Sequence, residues 1–257
     1  CMSSFEAVDI EGIYKDYLLN ENEINRKNRY EGKEKYYSGS SSGFCSRQQY
    51  YKAVAQEKKS NEPNAKSMRI MRLGTVWHND MEEALKNLPK DQYWMYNLKE
   101  IYFENEIVLE DINVRGHYDA LFVTQDDEYL LYDFKTIGSW PWKLKFGKSG
   151  EKEEVNIKHE LQVATYGIAI ERQYKRIDGL YLLYYNKDNS TMREVSVPLS
   201  RMTDAWEYWT SVNEEHKEGL PEINLGISPV EKWECNYCDW HTLCSPCLLY
   251  TSYAADD

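Results

Sequence analysis

Asp119, Asp133 and Lys135 are the side chains of this sequence whose types and spacing could do chemistry together. They stand in Gly116-His117-Tyr118-Asp119 and Tyr132-Asp133-Phe134-Lys135. Side chains alternate along a strand, so Asp133 and Lys135 share a face while Phe134 points to the other and can enter a core. If the two segments pair as a hairpin, two carboxylates and an ammonium meet at one end of a sheet, with the carbonyl of Phe134 as a further oxygen. Mg2+ and Mn2+ prefer such oxygen donors, with waters and a substrate phosphate completing the shell. The lysine can polarise an attacking water or stabilise charge developing at phosphorus. The chemistry would be metal-assisted hydrolysis of a phosphate ester. Asp-x-Lys by itself is also an ordinary solvated pair on a strand, so the surrounding elements must carry the rest.

Those elements can be read from the pattern. Gln125-Asp126-Asp127-Glu128 is a polar turn between short β-branched or aromatic runs at 120–123 and 129–134, which predicts the hairpin. A helix is expected over 153–174, with Val155, Leu161, Val163, Ala164, Ile168 and Ile170 as its apolar positions, and Gln162 and Tyr166 four residues apart on one face. Residues 69–88 have helical periodicity too, placing His78 one turn beyond Gly74. Strands are expected at 179–186 and 193–200 about the Lys187-Asp188-Asn189-Ser190 turn, and a helix at 203–217. Residues 46–58 should form a helix with Tyr50, Tyr51 and Val54 inward. Residues 2–43 read as a polar, tyrosine-bearing lead whose serine- and glycine-rich 38–43 forms a flexible loop. Glu104 and Glu106 precede the hairpin; one of them could join a metal site, although solvent exposure is the ordinary expectation for a glutamate.

In order, Gly74-x-x-x-His78, Gly116-x-x-Asp119, Asp133-x-Lys135 and Gln162-x-x-x-Tyr166 resemble the motifs of the PD-(D/E)XK nuclease superfamily, specifically its RecB-like branch. The resemblance spans roughly residues 44–245. It implies an α/β fold with a restriction-endonuclease-like core, a mixed central sheet flanked by helices. It further implies that Asp119 and Asp133 hold Mg2+ or Mn2+, with His78 and the Phe134 carbonyl as additional ligands. Lys135 would position the water that attacks phosphorus in line, Gln162 would orient that lysine or a phosphate, and Tyr166 would support the helix face or contact the strand. Asp133 departs from the pattern, since many members carry Glu there; the shorter acid still binds metal but reaches less far.

The six cysteines are Cys1, Cys45, Cys235, Cys238, Cys244 and Cys247. Residues 247–257 resemble a translated sequencing adapter and Cys1 precedes Met2, so both ends are set aside and residues 2–246 are taken as a single nuclease domain. Cys45 together with Cys235, Cys238 and Cys244 is similar to the one-plus-three arrangement of the superfamily's iron–sulfur members, the AddB nuclease domain and the CRISPR-associated Cas-four-type exonucleases. That likeness implies a [4Fe-4S] cluster on four thiolates, a clasp joining the N- and C-terminal regions. Closing so long a loop is credited with about 5 kcal/mol by analogy with a cross-link. Zinc is the competing reading, because Cys235, Cys238, His241 and Cys244 form a tight set without Cys45.

At 257 residues the chain suits one sizeable core and is too short for the helicase motors many RecB-like nucleases accompany, so a stand-alone module is expected. No apolar run approaches a membrane span, and no secretory leader is recognisable, which predicts a cytoplasmic protein that does not enter membranes. The net charge of -12 argues against broad nucleic-acid adhesion but leaves local basic groups: Arg26, Lys27 and Arg29; residues 66–72; and Lys143, Lys145 and Lys148. The last group follows Trp140 and Trp142, an aromatic and basic track of the kind that holds single strands, or else a loop packed on the core. Arg47 could touch phosphate or be an ordinary solvated arginine. The resulting expectation is a DNA exonuclease acting on single strands or frayed ends, in DNA processing, recombination or spacer acquisition with protein partners. The rivals are a catalytically quiet DNA-binding partner and a structure-specific or RNA-directed nuclease.

Overall fold

The computed structural model describes residues 8–30, 36–57, 59–60, 64–147, 157–226, 228–229 and 231–244. The expectations for residues 2–7, 148–156 and 245–257 therefore lie outside the described residues, as does the side chain of each residue in 25–30. Six α-helices are described: α1 (Ile10–Tyr30), α2 (Ser46–Gln49), α3 (Ala65–Lys86), α4 (Ser139–Phe146), α5 (Ile157–Tyr174) and α6 (Arg201–Lys217). The strands are β1 (Tyr37–Ser38), β2 (Leu98–Phe103), β3 (Glu106–Leu109), β4 (Val114–His117), β5 (Ala120–Thr124), β6 (Tyr129–Ile137), β7 (Gly179–Asn186) and β8 (Met192–Val197). No described helix is long and apolar enough to cross a membrane.

The main sheet runs β2-β5-β6-β7-β8 and is mixed: β6 and β7 are parallel, the other neighbours antiparallel. A smaller sheet runs β1-β4-β3. The parallel pair needs a crossover, which α4 and α5 supply between the two strands. Helix α5 packs on β6 and β7 and is backed by α6, while α3 packs on β6 and carries α1. The core accordingly lies between α5, α6 and the sheet, with Leu131, Val163, Ile170, Leu180, Leu182 and Trp209 essentially closed to solvent.

Two chain segments pass side by side from one sheet to the other. Between β2 and β3 the crossing is made by Glu104 and Asn105; between β4 and β5 it is made by Tyr118 and Asp119. The amide of Glu104 donates to the carbonyl of Asp119 at 3.3 Å, and Asn105 Nδ2 donates to Tyr118 Oη at 2.9 Å. Glu104 adopts φ 44°, a left-handed conformation that costs a non-glycine residue energy and is held by this seam. Each crossing thus brings one acid to the same place.

Several expectations change. Residues 38–43 are no flexible loop: Ser38 ends β1, a 3-10 turn covers Gly39–Ser41, and Ser41 and Ser42 are buried. Ser42 Oγ donates to the Gly39 carbonyl and lies 3.0 Å from Thr165 Oγ1, so small polar side chains serve here as packing against α5. The polar lead contains α1, whose Leu18 is buried. The helix expected over 46–58 is shorter, α2 running into a π turn at Tyr50–Val54; Tyr51 is buried, with Tyr50 and Val54 half-buried. Arg47 is neither solvated nor free for phosphate: it is buried, donating from Nε to Cys244 Sγ at 3.2 Å and from its other nitrogens to the Pro221 carbonyl and Tyr51 Oη. Two cations of the 66–72 group hold α1, Arg69 through Glu11 and Arg72 through Tyr17 Oη.

Candidate active site

The hairpin of β5 and β6 pairs Ala120 with Tyr132, so the next pair outward is Asp119 with Asp133. Asp119 Oδ2 accepts the backbone N–H of Phe134 at 2.5 Å. Asp133, 1 % exposed, and Lys135 lie on the face covered by α5, from which Gln162 reaches both. Gln162 Nε2 donates to Asp133 Oδ1 at 2.8 Å, and Lys135 Nζ donates to Gln162 Oε1 at 2.9 Å. Lys135 Nζ also lies 2.5 Å from Asp133 Oδ2, off the line of a hydrogen bond, so that buried oxygen has no aligned donor. One amide therefore fixes the acid and the amine relative to each other.

Tyr166, one turn beyond Gln162, shares a side-chain hydrogen bond with it and is almost fully buried. Its ring occupies space that Gly39 and Gly116 leave open. A Cβ at Gly116 would meet Tyr166 Cε1 at 2.9 Å and one at Gly39 would meet it at 2.4 Å. Burial, followed by the charges of Asp133 and Asp119, raises the phenol well above its usual range, so it stays neutral. The Gly116-x-x-Asp119 and Gln162-x-x-x-Tyr166 spacings are thus two sides of one contact.

From the opposite face, α3 brings His78. The helix approaches β6 at Gly74, where a Cβ would lie 2.9 Å from Thr136 Oγ1. His78 Nε2 lies 2.6 Å from the Phe134 carbonyl, and Nδ1 lies 3.7 Å from Asp119 Oδ1. A carbonyl only accepts, so Nε2 carries the proton in this contact. Burial lowers the His78 pKa, so the ring is neutral and its Nδ1 lone pair faces a carboxylate oxygen. Asp119 is pushed well above the usual carboxylate range, by burial first and by Asp133 second. Glu104, an exposed residue as a glutamate ordinarily is, has its carboxylate close to the others and is raised as well, by partial desolvation and then by Glu82.

His78, Glu104 and Asp119 each offer a ligand atom within 4.8 Å of the others. The Glu104 and Asp119 carboxylates, with the His78 lone pair aimed at Asp119, form a donor set that fits a hard divalent cation; Asp133, near enough to raise Asp119, has its Oδ2 beside the Lys135 ammonium. Among the residues anticipated, Asp119, Asp133, Lys135, Gln162, Tyr166, His78 and the Phe134 carbonyl are brought together. Glu104 joins them, whereas Glu106 lies 3.2 Å from Arg115 Nε in an ion pair. Glu82, one turn after His78 and close enough to raise Glu104, was not anticipated; its i,i+4 spacing from His78 was the available signal.

The cysteines form a second cluster. Buried Cys244 packs with Tyr51 and Trp240, and Cys235 and Cys238 pack against them. The Cys238 thiol is pushed up to about 12, by burial and then by the neighbouring Cys45, Cys244 and Cys235. Cys45 Sγ lies 3.3 Å from Ser228 Oγ, and the Trp240 amide donates to Cys238 Sγ at 3.4 Å. The buried Nε2 of His241 has no hydrogen bond among the described residues.

A profile of the PD-(D/E)XK nuclease superfamily matches residues 34–245. No curated protein matches the sequence. Among solved structures, the crystal structure of SSO0001 superposes with a TM-score of 0.56 at 18% identity, over 91% of this chain and 97% of that one. An alkaline exonuclease from Laribacter hongkongensis gives a TM-score of 0.35 at 14% identity, over 58% and 70% of the two chains.

Proposed function

Because this chain belongs to the PD-(D/E)XK nuclease superfamily, we propose that it is a divalent-metal-dependent deoxyribonuclease whose site is the seam of Glu104, Asp119, Asp133, Lys135, His78 and Gln162. The observation that carries this reading is the double hydrogen bond of Gln162, which ties Lys135 to Asp133 beside the His78, Glu104 and Asp119 group. Asp119, Asp133, Glu104, His78 and the Phe134 carbonyl would hold Mg2+ or Mn2+. Bound there, the ion would activate water and neutralise charge on the phosphate. Lys135 would direct its ammonium at the attacking water or a phosphate oxygen, with Gln162 and Asp133 together fixing its position. Tyr166, locked between Gly39 and Gly116, holds α5 at the height where Gln162 reaches the strand.

The finer reading is an exonuclease of the RecB-like branch acting on single-stranded or frayed DNA, in recombination, DNA processing or spacer acquisition. Its support is the gathering of Cys45, Cys235, Cys238 and Cys244 in one region beside Arg47 and Trp240, close enough for the other three to raise the Cys238 thiol, with no three of the sulfurs within 4.8 Å of one another. A [4Fe-4S] cluster that drew the four sulfurs together would clasp α2 to the C-terminal region. The undonated Nε2 of His241 favours zinc on Cys235, Cys238, His241 and Cys244 as the second reading. The hydrolytic assignment is tested by incubating wild type, Lys135→Ala and Asp119→Ala with end-labelled single-stranded DNA, duplex DNA and RNA in Mn2+. Cleavage of single-stranded DNA by wild type alone supports the assignment; equal cleavage by all three proteins removes it. Faster cleavage of RNA or of branched duplex would move the substrate to the corresponding rival class.

A further inference from the structure

Beyond Lys135, the main sheet carries a row of residues that the hydrolytic site does not use. Register places Lys135 of β6 opposite Tyr184 of β7, and Tyr184 opposite Arg193 of β8. Directly opposed residues project to one face, and neighbouring strands lie about 4.8 Å apart, so the backbone positions of Lys135 and Arg193 sit about 10 Å apart with Tyr184 between them. Tyr184 is fully buried, which makes it a fixed hub. His159 of α5 lies with Nδ1 3.1 Å from Tyr184 Oη. Lys145 of α4 reaches back over the row, its Nζ 5.1 Å from the Tyr184 ring centroid. Phe146 packs edge-on to Tyr184 at 5.5 Å, and the Arg193 guanidinium lies 4.6 Å above the Phe146 ring. Trp142 packs on Phe146 and the core, whereas Trp140 beside it is 71% exposed.

These cations are gathered in a chain of net charge -12, yet among the described residues neither Lys145 nor Arg193 is in an ion pair. Burial lowers the pKa of Lys145, the expected sign for an ammonium held away from water. His159 is likewise driven well below its usual range, by burial and then by Lys135, Lys145 and Lys158, so its ring is neutral. The nearby acids already have partners: Asp133 lies 2.5 Å from Lys135 Nζ, Glu160 pairs with Arg201 while also acting on Lys145, Glu194 bonds Tyr132 Oη and Glu234 pairs with Lys158. Lys145 and Arg193, cations without an ion-pair partner of their own beside a neutral imidazole, are relieved by an anion from outside. A row of cations set on aromatic rings, partly exposed at Lys135 and Lys145 and exposed at Arg193, suits successive phosphates of a strand better than one small anion.

We propose that Lys145 and Arg193, set on Tyr184 and Phe146 beside His159, form a phosphate track that holds the substrate strand on the β7 and β8 side of Lys135. The inference rests on the hydrolytic reading only in placing the cleaved bond at Lys135. It is tested by binding, with activity as a separate readout. Fluorescent single-stranded oligodeoxynucleotides bearing a 5′-hydroxyl or a 5′-phosphate are titrated in EDTA across a salt series. The proteins are wild type, Lys145→Gln, Arg193→Gln, Lys145→Arg, and Lys217→Gln as an exposed control on α6.

Lys145→Gln and Arg193→Gln should each lower the slope of log affinity against log salt by about 0.7, about fivefold in affinity at 0.1 M salt. Lys145→Arg should restore binding, and Lys217→Gln should match wild type. A loss confined to the 5′-phosphorylated oligonucleotide assigns the track to a terminal phosphate; an equal loss for both assigns it to internal diesters. Unchanged affinity and slope in Lys145→Gln and Arg193→Gln, with thermal melts equal to wild type, overturn the track. A wild type that binds as described but cleaves nothing in Mn2+ overturns the hydrolytic reading and leaves the track standing.

Discussion

Gln162 is the position at which geometry makes the sharpest quantitative demand. Its amide donates to Asp133 Oδ1 at 2.8 Å and accepts from Lys135 Nζ at 2.9 Å, so Gln162→Leu removes both contacts with little change of volume. A hydrogen bond to a charged group contributes about 1.5–3 kcal/mol. If the Lys135 contact counts fully at the transition state, its loss corresponds to about a 10- to 150-fold slower chemical step. Asp133, already without an aligned donor on Oδ2, would also lose its donor on Oδ1 while remaining buried, which costs a further ~1–3 kcal/mol of stability. Gln162→Glu keeps an acceptor for Lys135 but sets a second carboxylate against Asp133. It should therefore melt lower than Gln162→Leu at neutral pH and recover on mild acidification. The assay is single-turnover cleavage of end-labelled single-stranded DNA over a range of Mn2+ concentrations. The rate at saturating Mn2+ should fall while the Mn2+ midpoint stays in place. A rate within twofold of wild type would mean that Lys135 is oriented by something other than this amide.

The neighbouring contacts give further expectations. Gly116→Ala places a methyl 2.9 Å from Tyr166 Cε1, and overpacking of this kind should cost about 1–3 kcal/mol, read by denaturant unfolding; Tyr166→Phe, which keeps the ring, should leave most of the stability. Asp119 has its pKa raised in the fold, so its own contribution to the stability of metal-free protein is full below the ordinary carboxylate range and is lost as pH rises through the folded value. Asp119→Asn should flatten this decline in melts recorded in EDTA, and a variant as steep as wild type would place the titration elsewhere. Cys45→Ser separates the two metals of the cysteine cluster. With iron–sulfur, a brown preparation loses its visible absorption and its stability; with zinc on Cys235, Cys238, His241 and Cys244, metal content and melting temperature persist.

Much of this site could be read before folding because its motifs are local. Asp133 and Lys135 share a face by strand alternation, Gln162 and Tyr166 by helical spacing, and the Gln125–Glu128 turn fixes the pairing that sets Asp119 opposite Asp133. The bounds of β7 at Gly179–Asn186 follow directly from its aromatic and aliphatic run. What escaped depends on contacts between distant segments. The sequence offers Glu104 and Glu106 alike as possible ligands, but the choice between them is made by two crossings that lie side by side between the sheets, which no window of sequence around either encodes. Ser41, Ser42 and Gly39 have the composition of a loop but the size needed to pack under Tyr166 and Thr165. Arg47 looks like a surface residue until the C-terminal Cys244 and Pro221 are folded over it. Helix α1 was missed, although Ile10, Ile13, Tyr14, Tyr17 and Leu18 recur at helical spacing within what reads as a polar lead.

The central claim is that His78, Glu104, Asp119 and Asp133 converge on one divalent cation beside Lys135. Thermal melts of wild type and Asp119→Asn with and without Mn2+ test it most directly. At a Mn2+ concentration about 100-fold above its dissociation constant, binding to the folded chain contributes about 2.7 kcal/mol, an upward shift of about 5–10 °C for a chain of this size. Wild type should show that shift and Asp119→Asn should lose it, although the variant is at least as stable as wild type in EDTA. An equal shift in both proteins, or none in either, would contradict a metal held at this seam.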